Sequence, residues 1–195
     1  MTIAISAPDR PALWPLLAMA TIFAGLVVVD AALVWEPPFD ALALLLVLAL
    51  WCAAAMAAAS LAVRARRQRR PRRAASLALL PLAFLVTVVQ PKLVMGGAQT
   101  LGDRLHFMIE YQEYLALIRA MPDTGEPKLL TVDWGGFLTA STSLVYDESD
   151  EVALPPERRS TAWGARAQQT ILSCAYGYWV RTALGGHFYA VGVGC

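Results

Sequence analysis

A ten-residue basic segment inside a very apolar stretch constrains this chain more than any other feature. Positions 64–73 hold seven arginines, and hydrophobic runs adjoin them on both sides. A bilayer core needs about 20 mainly apolar residues in a helix. Three runs meet or approach that length, at about 12–35, 41–63 and 74–95. We therefore predict three transmembrane helices within residues 1–95 and a water-soluble domain over residues 96–195.

The charged residues are divided unevenly between the two halves of the chain. Charged side chains make up only 16% of the protein, against about 25% in ordinary soluble domains. Residues 1–90 carry eight arginines and four acids, whereas residues 91–195 carry eight basic and eleven acidic residues. The net charge of +1 therefore conceals a basic membrane half and a mildly acidic domain. Such a domain is not expected to bind nucleic acid.

The arginines of the connector predict the orientation of the membrane helices. Short loops rich in Lys and Arg stay on the cytoplasmic side, where anionic head groups add roughly 1 kcal/mol for each basic residue. We therefore expect a cytoplasmic N-terminus and a C-terminal domain on the other side. The Ala- and Arg-rich composition favours a bacterium, in which that domain is periplasmic and the membrane is the inner one. The membrane-orienting residues are Arg64, Arg66, Arg67, Arg69, Arg70, Arg72 and Arg73.

Asp30 is the only acidic residue inside a predicted span. Such residues are candidates for function by default. Asp30 lies near the end of the first run, so the simpler interpretation is that its carboxylate reaches water at the outer interface. Helices this apolar favour an anchor over a transport route. A cleaved signal peptide is an alternative for the first run, and it would leave the domain on the same side.

The pattern of residues 96–195 predicts a small α+β domain of two helices and about four strands. The first predicted helix carries two adjacent apolar stripes rather than one. The predicted helices and strands are, in chain order, 101–120, 128–132, 143–146 and 157–173. The chain then ends in a β-hairpin around Gly185-Gly186, because paired glycines suit a two-residue hairpin turn.

The same hairpin brings two of the three cysteines close together. Residues whose numbers sum to 371 face each other in this register, so Cys195 lies opposite Tyr176 and diagonal to Cys174. An oxidising compartment favours a Cys174–Cys195 disulfide, which would stabilise the domain by roughly 2–4 kcal/mol. Two unpaired thiols are the alternative.

No catalytic motif stands out in the sequence. The two histidines, His106 and His187, lie in different predicted elements and lack metal-ligand spacing such as HExxH. No serine lies in a GxSxG motif, and the glycine pairs do not form a phosphate loop. A Cys174–His187 nucleophile pair competes with the disulfide for the same sulfur. We therefore predict a non-enzymatic protein with no catalytic residue, metal or cofactor.

A protein-binding surface is the remaining candidate site. The densest acidic stretch, 147–151, would steer a basic partner electrostatically, although a solvated loop and a calcium site are alternatives. Aromatic residues beside glycines would anchor an interface, with the core as their alternative place. The predicted partner-binding residues are Asp147, Glu148, Asp150, Glu151, Trp134 and Phe137.

Together these features favour a bacterial inner-membrane protein that presents a periplasmic protein-binding domain. Its expected role is an accessory subunit of an envelope complex, in contact with membrane lipid and with a protein partner. Two alternatives stay open. One is an immunity-type protein that neutralises an envelope-targeted toxin, and the other is an envelope enzyme.

Overall fold

Long apolar helices and one antiparallel sheet make up most of the chain. The computed structural model describes residues 9–33, 39–137, 140–174 and 176–194. Within those ranges the chain forms five α-helices and four β-strands, which confirms the predicted α+β class. Two compact units are present, Met1–Val27 with Leu42–Ala98 and Val28–Ala41 with Gln99–Cys195.

Three helices of the described chain are long and apolar enough to cross a membrane, and each overlaps one of the three predicted spans. They are α1 (Trp14–Leu33), α2 (Phe39–Arg67) and α3 (Pro71–Val89). Only 17% of the residues in each apolar stretch are buried within the protein, which is typical of helices surrounded by lipid. The third helix ends earlier than expected, because a proline disfavours helical backbone at the residue before it and Pro91 begins the next helix.

Leucine, alanine and tryptophan side chains form the core of the first unit. The ring of Trp51 meets that of Phe84 edge to face, with 5.8 Å between ring centroids. Alanines let the helix backbones approach closely, as is common in membrane bundles. The buried residues of this core are Leu26, Trp51, Ala58, Leu80 and Ala98.

Asp9 ties the start of the described chain to the start of α3. Its carboxylate accepts hydrogen bonds from the backbone amides of Arg72 (3.0 Å) and Arg73 (3.2 Å). Amides in the first turn of a helix have no partner within the helix, so Asp9 caps α3. The amide of Ala12 also donates to the hydroxyl of Ser76 (2.9 Å). Residues 9–12 and the arginine connector therefore lie at the same end of the first unit.

The second unit is an antiparallel sheet with helical segments packed on both faces. Its strands are β1 (Leu129–Phe137), β2 (Ala140–Asp147), β3 (Tyr178–Gly185) and β4 (Phe188–Gly194), in the spatial order β1-β2-β4-β3. Successive side chains of a strand point to opposite faces, so each face has its own core. The α4 face joins α4 (Pro91–Ala120) to the sheet through Phe107, Tyr114, Trp134, Leu144, Phe188 and Ala190. The α5 face joins α5 (Thr161–Ala167) to it through Val145, Val152, Trp163, Ala167, Leu172, Val191 and Val193.

The second helix of the domain is shorter than the predicted 157–173. Its start is capped by Ser160, whose hydroxyl accepts the amide of Trp163 (3.1 Å). Thr170 ends the helical run, because its hydroxyl accepts the amide of Leu172 (3.2 Å) and starts a separate 3-10 turn. Short polar side chains compete for backbone groups in this way, which an apolar periodicity does not reveal.

The predicted hairpin is confirmed at its open end and differs at its turn. Tyr178 pairs with Val193, as the predicted register requires, but two bulges nearer the turn shift the later pairs. The turn residues are therefore Gly186 (φ 57°) and His187 (φ 70°) rather than Gly185-Gly186. Positive φ at both central residues is the requirement of a type I′ turn, and here a histidine takes one of these positions.

Cys195 lies outside the described residues, so the Cys174–Cys195 disulfide stays a prediction. The residue before it runs beside the segment that follows Cys174. The amide of Tyr176 donates to the carbonyl of Gly194 (3.0 Å), and the amide of Gly194 donates to the carbonyl of Gly177 (2.9 Å).

Candidate functional site

A largely buried arginine of the second unit joins segments that are far apart in sequence. Arg181 of β3 forms ion pairs with Asp30 of α1 (3.3 Å) and with Asp103 of α4 (3.2 Å). Its guanidinium also donates to the hydroxyl of Thr142 (2.5 Å). The hydroxyl of Thr182 donates to Asp103 (2.7 Å). We call these five residues the charged cluster.

The sequence led us to expect that the carboxylate of Asp30 reaches water. The structure differs, because that carboxylate is largely buried. Its side chain is 17% exposed, and one of its carboxylate oxygens is buried without a hydrogen-bond partner among the described residues. A close approach of α1 to α4 makes this arrangement possible. A Cβ atom on Gly102 would lie only 2.9 Å from the Cβ of Asp30, so a glycine is needed at that position.

The charged cluster holds more negative than positive charge. One guanidinium faces two carboxylates, so full ionisation would leave a net charge of −1. Burial raises the pKa of Asp103, while the neighbouring Arg181 opposes that rise. Buried ion pairs add little net stability, but removing one partner leaves a costly unpaired charge. We therefore expect the loss of Arg181 to destabilise the charged cluster more than the loss of any other member.

A second polar chain runs through the α4 face beside the charged cluster. One ring nitrogen of His106 lies 3.1 Å from the carbonyl of Ala31, and the other lies 3.3 Å from the hydroxyl of Tyr114. That hydroxyl accepts the indole N–H of Trp134 (2.8 Å) and donates to Glu110. Burial, and next the bond to Glu110, raise the pKa of Tyr114, so its hydroxyl keeps its proton.

Trp134, one of the predicted partner-binding residues, belongs to the core. Its side chain is 1% exposed, and its only polar atom is used by Tyr114. The core interpretation of this tryptophan is therefore correct, and it does not offer a surface for a partner. The side chain of Phe137 lies outside the described part of the structure, so its predicted role stays a prediction.

Asp147, the first residue of the predicted acidic surface, is fully buried. Its carboxylate accepts hydrogen bonds from the indole N–H of Trp163 (2.8 Å), the amide of Val152 (2.7 Å) and the hydroxyl of Ser149 (2.6 Å). Buried polar groups are normally satisfied in this way. Asp147 therefore organises the loop that follows β2 and is not available to a partner.

The next acids of the loop also bond within the domain, although they are nearer the surface. Glu148 is exposed and accepts the amide of Lys128 (2.8 Å). Glu151 accepts both the amide (2.5 Å) and the hydroxyl (3.0 Å) of Ser160. Both carboxylates therefore accept hydrogen bonds from within the domain. A docking role for them stays a prediction.

Asp150 closes the loop onto the turn of the hairpin. Its carboxylate lies 3.0 Å from a ring nitrogen of His187 and accepts the hydroxyl of Tyr189 (2.7 Å). These two contacts lower the pKa of Asp150, with the Tyr189 hydrogen bond as the larger cause. Burial, and next the same hydrogen bond, raise the pKa of Tyr189 to about 12. Asp150 and His187 both adopt positive φ.

The outward side of α4 carries an exposed apolar stripe that the sheet does not cover. Leu101, Leu105 and Met108 are spaced by four and three residues, and Ile109 flanks them. Exposure ranges from 36% at Leu105 to 72% at Ile109. We call these four residues the α4 stripe. The two adjacent apolar stripes of the sequence were the signal for it, because a helix that is apolar on two sides needs a second partner.

A small cavity lies next to Arg181 on the α4 face of the sheet. Its volume is about 280 Å³, and its lining residues are Gln99, Ser141, Thr142, Trp179, Arg181 and Gly192. The indole of Trp179 lies against Gly192, where any side chain would collide with it, and the tryptophan is 53% exposed. We call this space the Trp179 cavity. Nothing in the sequence pattern predicted it, because its walls come from four separate elements.

The connector arginines are available to lipid. Six of the seven are exposed, and Arg70 is half-buried. Their predicted contact with anionic head groups stays a prediction.

Comparisons with known proteins add no assignment. No protein-family model, curated protein or solved structure matches the chain. Among the described residues, no group of three or more His, Cys, Asp or Glu side chains is arranged to hold a metal ion. The candidate functional features of the chain are therefore the α4 stripe, the charged cluster and the Trp179 cavity.

Proposed function

We propose that the chain anchors a periplasmic protein-binding domain to a bacterial inner membrane and serves as an accessory subunit of an envelope complex. The α4 stripe is the observation that carries this proposal. Contiguous exposed apolar patches on a folded domain mark interaction sites. The stripe replaces the acidic stretch as the contact surface, because Asp147 is buried and its neighbours bond within the domain.

A helix of another membrane subunit is the partner that this surface fits best. The alternation of four- and three-residue spacings from Leu101 to Met108 is that of a seam which receives side chains from a facing helix. Only Gln90 separates the end of α3 from the start of α4, so by chain connectivity the stripe begins near the membrane. A subunit that is itself anchored there can reach it without a long linker.

Two features support the proposed orientation. The arginine connector is basic, short and mostly exposed, and such loops stay on the cytoplasmic side. Asp9 caps α3 beside that connector, so the N-terminal segment belongs on the same side. An odd number of spans then leads the second unit to the periplasm. This orientation also suits the predicted disulfide, because the periplasm is oxidising.

The test places a photo-crosslinking residue at Leu105 in the full chain, expressed in the membrane of a bacterial host that carries its native partners. We expect one membrane protein to be captured. Ile109→Asp should lower that capture more than tenfold, because a buried unpaired carboxylate in an apolar interface is costly. Ala153→Asp, which adds the same charge at an exposed residue elsewhere, is the matched control and should leave the yield unchanged.

Two results would contradict the proposal. Capture that is insensitive to Ile109→Asp, at an unchanged unfolding temperature, would show that the α4 stripe is not the contact surface. A reporter fused after Cys195 that is active only in the cytosol would overturn the orientation.

A further inference from the structure

The Trp179 cavity is linked through Arg181 to the end of the first apolar helix. Asp30, which pairs with Arg181 at 3.3 Å, belongs to the apolar stretch Trp14–Ala31 that is long enough to cross a bilayer. It lies one residue from the end of that stretch, so its carboxylate is at the edge of the hydrocarbon core. Head groups extend roughly 5–8 Å beyond that edge on each side. A wall of the cavity is therefore within reach of lipid head groups.

The charge of the surrounding groups selects among possible ligands. Arg181 already pairs with both Asp30 and Asp103, so a purely anionic ligand would add negative charge beside two carboxylates. A ligand with one positive and one negative group adds no net charge. The cavity of about 280 Å³ is at the small end of ligand sites, and it limits the ligand to a few heavy atoms.

Arg181 on one wall of the cavity suits the negative group of such a ligand, and Trp179 on another wall suits its positive group. Arg181 lines the cavity, and its Nε–H is buried and lacks a partner among the described residues. A phosphate oxygen that reached this group would form a charge-assisted hydrogen bond with it. The indole of Trp179 is half-exposed and is held over Gly192. Ammonium groups are attracted to the face of an indole ring, more strongly than to other aromatic side chains.

We propose that the Trp179 cavity binds the head group of a zwitterionic phospholipid, with its phosphate at Arg181 and its ammonium against Trp179. Binding would fix a lipid at the end of α1 and would satisfy a donor that the described residues leave without a partner. The proposal does not depend on the protein partner or on the orientation of the chain. It depends only on α1 crossing a bilayer.

The test uses the purified full-length chain and native mass spectrometry after incubation with equal amounts of phosphatidylethanolamine and phosphatidylglycerol of the same acyl chains. Trp179→Ala should lower the retained phosphatidylethanolamine at least fivefold and leave phosphatidylglycerol, which the connector arginines attract, unchanged. Trp179→Phe should lower it about twofold, since phenylalanine keeps a weaker aromatic face. Tyr176→Ala removes a neighbouring exposed aromatic ring and should have no effect.

Three outcomes would overturn the proposal. Retention of phosphatidylethanolamine that is unchanged in Trp179→Ala would mean that the lipid binds elsewhere. Equal loss of both lipids would indicate a general change in the protein surface. Soluble phosphoethanolamine that binds as tightly as the lipid would show that the source is a free metabolite and not the membrane.

Discussion

Two aspartates are buried on opposite sides of the same sheet, and they are stabilised in different ways. Asp103, on the α4 side, is 2% exposed and bonds to Arg181 and Thr182. Asp147, on the α5 side, is fully buried and bonds only to neutral donors, the farthest in sequence being Trp163. One site therefore needs a charged partner from a distant strand, and the other is built by a single loop.

The domain should therefore be more sensitive to substitution in the charged cluster than in the loop around Asp147. The donors to the Asp147 carboxylate all lie within 16 residues of it in sequence. These hydrogen bonds therefore require only that local segment to fold. The charged cluster requires Asp30, which is 151 residues from Arg181, to be in place. Loss of the one guanidinium leaves two carboxylates without compensation, whereas loss of Asp147 leaves several weaker neutral donors unmet.

The largest expected effect is from Arg181→Met. It leaves Asp30 and Asp103 buried without a counter-charge, and we expect a loss of about 3–5 kcal/mol in the free energy of unfolding. Chemical unfolding of the full chain in detergent micelles measures it. Arg104→Met, at an exposed arginine of α4, is the control and should cost little. A loss below about 1 kcal/mol for Arg181→Met would show that the cluster does not stabilise the fold.

A smaller effect is expected from Asp147→Ala. It leaves the indole N–H of Trp163 and the amide of Val152 buried without an acceptor, each at a cost of about 1–3 kcal/mol. Two such groups allow a total of about 2–6 kcal/mol. We expect a loss in the lower half of that range, less than for Arg181→Met, because the groups left without a partner are neutral. Glu157→Ala, at an exposed acid of the same region, should be close to neutral. If Asp147→Ala proved more harmful than Arg181→Met, the order argued from the charges would be reversed.

The smallest effect concerns the contact of Asp150 with the hairpin turn, and it depends on pH. The pKa of Asp150 is lowered from its usual 3.8 by the Tyr189 hydroxyl and by His187. Its contribution to stability is therefore complete above the unfolded value and is lost as the pH falls through the lower folded value. Because Asp150 is half-exposed, we expect less than about 1 kcal/mol.

The measurement is the difference in unfolding free energy between the protein and Asp150→Asn from pH 6 to pH 2. The difference should shrink below about pH 4. Tyr189→Phe, which removes the larger of the two causes, should weaken that pH dependence. A difference that is constant over the whole range would show that Asp150 is not held in its charged form.

The sequence predicted those parts of the fold that depend on neighbouring residues. The membrane helices follow from uninterrupted apolar runs, and the open end of the hairpin follows from the pairing of Tyr178 with Val193. The turn differed because bulges near Gly185 shift the register, and bulges depend on packing. The helix predicted over 157–173 was too long, since hydroxyl caps at Ser160 and Thr170 divide it.

The candidate sites were harder to predict from the sequence than the fold. Nothing near Asp30 indicates that Arg181 is its partner, because ion pairs between distant segments depend on the complete fold. The acidic stretch suggested a surface, but Asp147 points inward along the alternation of β2. The α4 stripe was visible as a second apolar side of the helix, and only the structure shows which side packs on the sheet.

The pairing of Asp30 with Arg181 has a consequence for biosynthesis. Asp30 leaves the ribosome and is inserted at the membrane long before β3 is made, so its carboxylate must first be tolerated without its partner. The ion pair of Asp30 is then completed only after β3 has been made. A fragment that begins at Gln99 would lack Asp30. Because Arg181 would then have lost one of its two carboxylate partners, we expect such a fragment to fold poorly.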